Sequence, residues 1–566
     1  MIYRIADNVL SPLGETTQEN YQAVKAGRSA LCRYDSYSGD PDDDFVASRF
    51  TDEQRQQLML EGLTFFESLL CRSVTEALSQ CDIPVGSPRT LLVVSTTKAN
   101  VDHLASADYD SLQPAEAARR VARRLGITTQ PVVVCNACIS GVAAIIMAQR
   151  LLAAGRYDTA IVTGCDVLSE FVVSGFQSLK AMSPEECRPF DIERIGLNLG
   201  EAAATLVLSS GSPSATQWAV VSGAVRNDAF HISSPSPKGE GCADAIRSVT
   251  AGVSGADIAA LNVHGTATMY NDQMESKAIQ AAELSDIPAN TVKGYFGHTL
   301  GAAGILETVI TMRSVAEGEL LGTRGFSEIG VSGRMSISAE TVPVGRQSFL
   351  KIISGFGGCN AAIYCRQTEV AGAASSAPSH DYTASHRIQV TPRGITVDGQ
   401  PLAVTQTGAK MLTEVYKRYI GDYPKYYKMD ALAQLGFVAT ELLLRQEGEH
   451  PERRTDRAIV LFNHSSSLCA DRDYERSIAD KANYFPSPSV FVYTLPNIVC
   501  GEMAIRHGYH AETSFYILNG KDEAMMHDIL RSTFQDSSLR SILAGWIDRR
   551  SADDFEADLK IIQKTN

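Results

Sequence analysis

The chain has 566 residues, of which 44% are hydrophobic and 20% are charged, and its formal net charge is −14. This length exceeds one ordinary domain, so several hydrophobic cores are expected, and the composition is that of a folded protein. The negative charge argues against nucleic acid and against an anionic membrane surface as partners. A local basic patch could still bind an acidic protein.

The N-terminus and the cysteines indicate the compartment. The first eight residues lack a charged segment followed by a long apolar core, so we expect no signal peptide. No run of the sequence approaches the ~20 apolar residues that span a bilayer. The twelve cysteines follow no regular spacing, which in a chain of this size favours free thiols. We therefore expect a soluble, cytoplasmic protein.

The chain divides into two predicted units. Residues 368–385 are small and polar, without hydrophobic periodicity, and predict a linker. In the first unit, residues 1–367, short apolar runs alternate with helical patterns, which is typical of parallel strands covered by helices. Two such rounds, at about 1–212 and 213–367, predict a duplicated, layered α/β fold.

The second unit, residues 386–566, repeats the first half in weaker form. The helical pattern at 430–444 and the apolar run at 457–467 follow each other as 68–78 and 89–100 do. Chance similarity of two α/β segments is the alternative. Further pairs in the same order with similar spacing favour a degenerate half-copy.

Cys138 is the candidate nucleophile. It follows the strand-like segment 132–135 and precedes a helix that begins near Gly141. A thiol at this junction lies near a helix N-terminus, whose partial positive charge favours the thiolate. Most free cysteines are buried and inert, and the spacing of Cys135 and Cys138 also matches a redox or zinc pair. No second pair accompanies these two, which disfavours the zinc interpretation.

Two histidines and a glycine-rich loop complete the candidate set. His264 ends the strand-like segment 259–263, and His298 precedes a helical pattern at 302–316. Functional groups concentrate at such strand-to-loop positions, although a lone histidine is more often structural. The segment 355–358, Gly-Phe-Gly-Gly, could present backbone N–H groups to an oxyanion. One thiol and two imidazoles can hold an acyl group on sulfur and then form a carbon–carbon bond with it.

The first unit resembles the β-ketoacyl–acyl carrier protein synthases of the elongating, Cys-His-His type. The matching segments keep the order and the separations of that family along the whole unit; they are 9–14, 136–141, 187–191, 200–208, 262–268, 293–304 and 355–361. The resemblance implies a thiolase-like fold, in which two related α/β halves form five α-β-α-β-α layers. A truncated α/β ketosynthase-like domain would then follow.

The resemblance also implies a role for each matching residue. Cys138 takes the acyl chain from an acyl carrier protein as a thioester. His264 and His298 stabilise the enolate that forms when a malonyl thioester loses carbon dioxide. The N–H groups of Cys138 and Phe356 would form an oxyanion hole, and the Phe356 ring would gate the site. Lys293, with its acid partner Glu307, would support the charge state of the site, and Asp272 and Glu275 would be acids behind His264. Thr266 and Thr268 would contact the phosphopantetheine arm.

This resemblance implies no metal and no cofactor of the chain's own, because 4′-phosphopantetheine arrives on the carrier protein. The implied partners are an acyl carrier protein and either a second copy or a related ketosynthase, as a homodimer or heterodimer. The sequence departs from the family at Cys359, where Thr is common, at Ser354, where Phe is common, and at Tyr295 and Phe296, where smaller residues are usual. We expect these departures to change the shape of the pocket rather than the reaction.

Three functions compete. Decarboxylative condensation in fatty-acid or specialised polyketide or polyene synthesis leads, and the fusion of two units favours a specialised pathway. A non-catalytic chain-length-factor-like partner is the alternative, and Cys138 argues against it. A thiolase would need a second cysteine in a Cys-x-Gly loop, whereas Cys359 precedes Asn-Ala-Ala. The second unit lacks a cysteine near 519–521, where its nucleophile would lie, so we expect it to be inert and to pack on the first unit or on a partner.

Overall fold

A computed structural model describes residues 1–106, 112–211, 216–369, 380–448 and 451–565. The first half of the N-terminal unit contains β1 Ile2–Leu10, β2 Leu31–Tyr34, β3 Phe45–Ser48, β4 Thr90–Ser95, β5 Val132–Val134, β6 Thr159–Asp166, β7 Leu199–Gly200 and β8 Ala202–Ser209. Its helices are α1 Thr17–Lys25, α2 Asp52–Leu58, α3 Phe65–Leu78, α4 Pro114–Leu125, α5 Ser140–Ala153 and α6 Glu170–Ser178.

The second half of the N-terminal unit follows directly along the chain. Its strands are β9 Thr216–Asn227, β10 Ala260–Asn262, β11 Pro288–Asn290, β12 Glu319–Leu320, β13 Ser336–Ile337, β14 Val342–Pro343, β15 Ser348–Gly355 and β16 Cys359–Glu369. Its helices are α7 Glu240–Thr250, α8 Met269–Ala281, α9 Lys293–Phe296 and α10 Ala303–Ala316.

The C-terminal unit, residues 380–565, completes the fold. Its strands are β17 Tyr382–Thr391, β18 Gly394–Val397, β19 Gln400–Pro401, β20 Arg457–Asn463, β21 Thr513–Ile517, β22 Ser541–Arg549 and β23 Phe555–Lys564. Its helices are α11 Gly408–Val415, α12 Ala431–Leu444, α13 Leu468–Ile478, α14 Pro488–Tyr493, α15 Ile498–His507 and α16 Glu523–Thr533.

One five-strand arrangement occurs three times. The strand order is β5-β4-β6-β8-β1 in the first half, β11-β10-β15-β16-β9 in the second half and β21-β20-β22-β23-β17 in the C-terminal unit. In each sheet, the first three strands are parallel to one another, and the fourth strand is antiparallel to both of its neighbours. The predicted duplication of the N-terminal unit is therefore confirmed, and the C-terminal unit has the topology of a further half.

The N-terminal unit has five layers, as predicted. Helices α5 and α10 contact each other and lie between the two sheets, while α3 covers the outside of the first sheet and α7 the outside of the second. Nearly all of α5 is buried, and its sequence is apolar on all sides, as expected for a central helix. These two central helices place the nucleophile and one histidine, because Cys138 precedes α5 and His298 precedes α10.

The boundary between the units differs from the predicted linker at 368–385. Strand β16 extends to Glu369, and β17 begins at Tyr382, so both strands continue into that stretch. At the start of β17, Thr383, Ala384 and Ser385 are all exposed, so this part of the strand shows no hydrophobic alternation. Residues 370–379 lie outside the described part of the chain.

The two units join through their equivalent strands. Edge strand β5 pairs antiparallel with β21, Val134 opposite Tyr516 and Val133 opposite Ile517. The N–H of Cys135 also donates to the carbonyl of Phe515 at 3.2 Å. Helix α5 packs against the equivalent helix α16. Because equivalent strands and equivalent helices contact each other, the C-terminal unit lies where the first half of a second copy would lie in an isologous dimer. It also covers a sheet edge that could otherwise pair with another chain.

Buried ion pairs also cross this interface. Lys98 lies 3.0 Å from Asp471, Arg150 lies 2.8 Å from Glu512, and Arg226 lies 2.7 Å from Asp536. Charges are rarely buried unless they are paired, so these contacts require a specific fit of the two units. The predicted packing of the C-terminal unit on the first unit is confirmed. Among the described residues, no helix is long and apolar enough to cross a membrane.

Candidate active site

The candidate nucleophile occupies the predicted junction. Cys138 lies in a single helical turn, Ala137–Ile139, between β5 and α5. Behind it, α5 approaches the start of α10 so closely that a Cβ on Gly141 would lie 2.9 Å from the backbone nitrogen of Ile305. Glycine at this position therefore allows the two central helices to meet beneath the thiol.

The two histidines meet the thiol, as the motifs predicted. His264 follows β10, and His298 follows α9. The Sγ of Cys138 and one ring nitrogen of each histidine all lie within 4.8 Å of one another. The imidazole rings are 5.1 Å apart, edge to face. All three side chains are buried, so three segments from distant parts of the sequence form one site.

The protonation states of this set follow from burial. Burial raises the pKa of the Cys138 thiol to about 12, and the Lys293 ammonium opposes this only in part. The expected stabilisation of a thiolate by the helix terminus is thus outweighed at rest. Burial, together with Lys293, lowers the pKa of both His264 and His298 well below the usual value. A protonated thiol therefore faces two neutral imidazoles, each of which can accept its proton.

A buried charge cluster lies beside the histidines. The Glu307 carboxylate contacts the Lys293 ammonium at 2.5 Å and the Lys351 ammonium at 2.5 Å. The predicted Lys293–Glu307 pair is present, and Lys351 is a member that the sequence motifs missed. Burial lowers the pKa of Lys351 to about 8. A lysine within the apolar run of β15 was the signal available, because an unpaired lysine is almost never fully buried.

Asp272 and Glu275 hold the loop that carries His264. Glu275 accepts hydrogen bonds from the N–H groups of His264 at 2.5 Å and Gly265 at 2.8 Å. Asp272 accepts from the N–H groups of Thr266 at 3.0 Å and Phe190 at 2.7 Å. Burial raises the pKa of Asp272 to about 6 and that of Glu275 to about 7. The two acids lie behind His264, where the resemblance placed them.

The site opens into a cavity of about 300 Å³ that Thr266, Thr268 and Phe356 also line. The hydroxyls of Thr266 and Thr268 are 2.9 Å apart. The mouth of the cavity carries exposed apolar side chains, among which Tyr270 is 76% exposed. Lining residues that lie outside the motifs include Phe176, Leu197, Asp228 and Met269.

The four departures from the family pattern lie in different places. Ser354 lines the cavity, whereas the Cys359 thiol lies beneath the glycine-rich loop and donates to the carbonyl of Phe356. Tyr295 points away and donates to the carbonyl of Gly322, and Phe296 is buried in the core. Of the four, Ser354 is the one that changes the cavity wall.

The glycine-rich loop lies next to the nucleophile. A Cβ on Gly355 would be 3.2 Å from the backbone nitrogen of Cys138. Gly357 and Gly358 have φ values of 91° and 70°, which favour glycine. The loop can therefore approach the N–H of Cys138 closely, as an oxyanion hole formed by Cys138 and Phe356 requires.

A thiol and two imidazoles are also possible zinc ligands. However, Lys293 and Lys351 place positive charge beside both histidines, and this opposes a divalent cation. The set is better suited to thioester chemistry.

In the C-terminal unit, the equivalent position has no thiol. Val134 and Tyr516 are directly opposed in the antiparallel β5–β21 pair, and a two-fold axis through this pair would make them equivalent. On this register, four residues after each, beyond the strand ends at Val134 and Ile517, Gly520 corresponds to Cys138. This position lies within the predicted stretch 519–521. Cys500 is buried in α15, away from this point in the sequence.

Comparison with known proteins identifies the family. The model for the N-terminal domain of β-ketoacyl synthases matches residues 5–213, and the model for their C-terminal domain matches residues 218–327. The chain is 31% identical over 251 residues to nodulation protein E of Rhizobium sp. (strain N33), a match that covers 43% of this chain and 61% of the relative. Over 290 residues it is 31% identical to the tetracenomycin polyketide synthase ketoacyl synthase alpha subunit of Streptomyces glaucescens, covering 48% and 68%.

A solved structure extends the similarity to both units. The structure titled PfaC keto synthase–chain length factor superposes with a TM-score of 0.75 and 14% identity, covering 100% of this chain and 78% of that one. At this identity the likeness concerns the fold alone. The two family models and the sequence relatives lead to one conclusion: the chain belongs to the β-ketoacyl synthase family.

Proposed function

We propose that the chain is a condensing enzyme that extends an acyl chain by decarboxylative Claisen condensation with a malonyl thioester on an acyl carrier protein. The observation that carries this proposal is the meeting of Cys138, His264 and His298 in one buried cavity. A non-catalytic subunit would have no need of a thiol facing two neutral imidazoles.

The first step loads the acyl chain. A neutral imidazole takes the proton of the Cys138 thiol, and the thiolate attacks the carbonyl carbon of the acyl thioester. The N–H groups of Cys138 and Phe356 stabilise the oxyanion. The carrier's thiolate then leaves and takes back the proton, so that the acyl group is bound to Cys138 and a free thiol departs.

The second step forms the carbon–carbon bond. The malonyl thioester loses carbon dioxide, and the electron pair of the broken bond forms an enolate whose oxygen accepts N–H bonds from His264 and His298. Neutral imidazoles can donate these bonds in a buried site at little reorganisation cost. The enolate carbon attacks the acyl carbonyl, and the Cys138 thiolate leaves and takes up one proton from solvent, which restores the thiol. A β-ketoacyl thioester remains on the carrier.

The cavity mouth supports delivery by a carrier protein. Ile195, Met269 and Tyr270 are exposed there, and exposed apolar clusters often mark a binding surface. The Thr266 and Thr268 hydroxyls could bind the polar groups of a phosphopantetheine arm. The arm belongs to the substrate, and the proposal requires no metal and no cofactor held by the chain.

The C-terminal unit supports a second, structural role. It covers the β5 edge and has Gly520 in place of a nucleophile, and the whole chain shares the fold of a ketosynthase with its chain length factor. We infer that this unit acts within the chain as a partner subunit would. A homodimer through β5 is then unnecessary. This fusion favours polyketide or polyene synthesis over fatty-acid synthesis.

Intact-mass analysis tests the proposal. The chain is incubated with a panel of acyl carrier proteins and then with malonyl carrier protein. We expect acyl adducts on Cys138 and elongated products, both lost in Cys138→Ala and both kept in Cys32→Ala, which removes an exposed cysteine. Adducts that persist in Cys138→Ala, or no elongation with any primer, would overturn the assignment.

A further inference from the structure

We propose that Asn497, in the C-terminal unit, is a positioning residue that holds the oxyanion loop Gly355–Gly358 in its working position. The proposal rests on the function proposed above, because it concerns the loading of Cys138. It assigns to the C-terminal unit a direct part in the reaction geometry, although that unit has no nucleophile of its own.

The contact that carries this inference is a buried hydrogen bond between the two units. The Nδ2 of Asn497 lies 2.8 Å from the carbonyl oxygen of Phe356, and the Asn497 side chain is buried. A carbonyl can only accept a hydrogen bond, so the amide must turn its nitrogen towards the loop. The bond holds the peptide group that follows the proposed oxyanion donor, the N–H of Phe356.

The same face of the C-terminal unit packs tightly on this loop. A Cβ on Gly501 would lie 2.8 Å from the carbonyl oxygen of Gly357, so the two backbones are in direct contact. The ring of Phe491 packs on Phe176 at 5.5 Å, and Phe176 stacks on Phe356 at 6.1 Å. Close packing on both sides limits the positions open to the loop.

The nucleophile's own segment is held in the same way. The Asn136 amide accepts from the N–H of Phe515 at 2.9 Å and donates to the carbonyl of Thr513 at 3.0 Å. The Asn227 amide joins the glycine-rich loop to the C-terminal unit, because it donates to the carbonyl of Gly357 at 2.8 Å and to the Thr513 hydroxyl at 3.0 Å. Both proposed oxyanion donors therefore lie on segments that the C-terminal unit contacts.

A separation of two rates follows. The oxyanion donors act when Cys138 is acylated, a step in which one imidazole also takes the thiol proton, whereas the loss of carbon dioxide from the malonyl thioester relies on His264 and His298. Glu275 and Asp272 hold the His264 loop, and the carbonyl of Asn198 accepts from the N–H of His298 at 2.7 Å. Within the described residues, none of these three residues is hydrogen-bonded to Asn497. Loss of the Asn497 amide should slow acylation and spare decarboxylation.

The test compares Asn497→Ala with Asn483→Ala, a control at an exposed asparagine of the same unit. Complete removal of one oxyanion donor costs ~10²–10³-fold in rate. Displacing the donor costs less, so we expect acylation of Cys138 to slow about tenfold. Release of carbon dioxide from a malonyl thioester and the thermal midpoint should match the control. Hydrogen exchange in the peptide that contains Gly355–Gly358 should accelerate.

Equal loss of both rates together with a lower thermal midpoint would overturn the proposal, and so would an unchanged acylation rate. Asn497→Asp provides the second variant, because it keeps the size but replaces the donor with an acceptor. It should slow acylation at least as much as Asn497→Ala. If the proposed function itself is wrong, the parent chain forms no Cys138 adduct. Failure of this inference leaves the parent active, with variants that either match it or lose both rates alike.

Discussion

The first half of the N-terminal unit and the C-terminal unit share one strand order, but the inner faces of their sheets differ. The register of the ladders, followed from the Val134–Tyr516 pair, makes three positions of β8 and β23 equivalent. The equivalent pairs are Ala204 with Asp558, Leu206 with Lys560 and Leu208 with Ile562. The β8 residues are all buried, whereas two of the three in β23 are charged.

This difference reflects what covers each sheet. The β8 side chains face α5 and α10, so this sheet is apolar on both faces. In the described part of the C-terminal unit no second sheet covers the corresponding face, and Asp558 is paired with Arg387 at 2.7 Å and Lys521 at 2.9 Å. A charged, paired face is stable beside water. The same topology thus occurs once as a buried half that carries the candidate nucleophile and once as a half whose sheet is partly exposed to solvent, and a few side chains make the difference.

We expect the largest change in the acylation rate from substitutions at Cys138 and at the equivalent position, Gly520. Cys138→Ala should lower acylation at least ~10³-fold, because no other group in the cavity can form the thioester. Adding Gly520→Cys to that variant should restore no adduct, since the equivalent position lacks the two histidines. Intact mass with an acyl carrier protein measures both. An adduct on residue 520 would break the comparison.

Exchanging apolar and charged residues between the equivalent positions of β8 and β23 should change the free energy of unfolding by unequal amounts. Leu206→Lys buries an unpaired charge and should lower the free energy of unfolding by at least ~4 kcal/mol. The reverse change at the equivalent position, Lys560→Leu, removes a partly exposed charge and should change it by less than ~0.5 kcal/mol. Denaturant unfolding of the full chain measures both. Equal costs would mean that the two faces are alike.

The stability of the interface between the N-terminal and C-terminal units should depend on its buried ion pairs. Glu512→Leu leaves Arg150 charged and unpaired, and should cost ~3–5 kcal/mol of stability. The double variant Arg150→Met with Glu512→Leu should recover most of this loss.

An exposed pair provides the control for this prediction. Asp286→Ala removes the surface pair with Arg334, whose partners are 82% and 73% exposed, and should cost less than ~1 kcal/mol. Thermal unfolding compares the three variants. A double variant as unstable as Glu512→Leu alone would contradict the role of burial.

The smallest effect concerns pH. Burial and the neighbouring lysines lower the pKa of His264 and His298 well below 6.5, and the neutral form accepts the thiol proton. Acylation should therefore lose no rate between pH 8 and about 6.5, and should fall only as the pH drops through the lowered pKa values. Lys351→Met removes one positive charge, so its acid limb should move to higher pH. An acid limb centred at the ordinary histidine pKa in the parent would contradict this.

Much of the site could be predicted from sequence because its motifs are local. Cys138 and His264 each follow a parallel strand, β5 of the first sheet and β10 of the second, whereas His298 follows α9. The local motifs therefore marked the three residues, and the packing of the two sheets brought them together. The spacing between repeats also placed the missing nucleophile near residue 520. Lys351 was missed because a single lysine within an apolar strand does not reveal that Glu307, 44 residues earlier, is its partner.

Motif order and hydrophobic pattern run along the chain, so they were enough to predict the candidate Cys-His-His set, the repeated topology and the lack of a cysteine at 519–521. The pairing of β21 with β5 and the contact of Asn497 with the glycine-rich loop, 141 residues before it in the sequence, are evident from the three-dimensional structure alone. An edge strand carries no mark of the edge it will pair with. Contacts between residues so far apart arise from the packing of whole units, which no local pattern records.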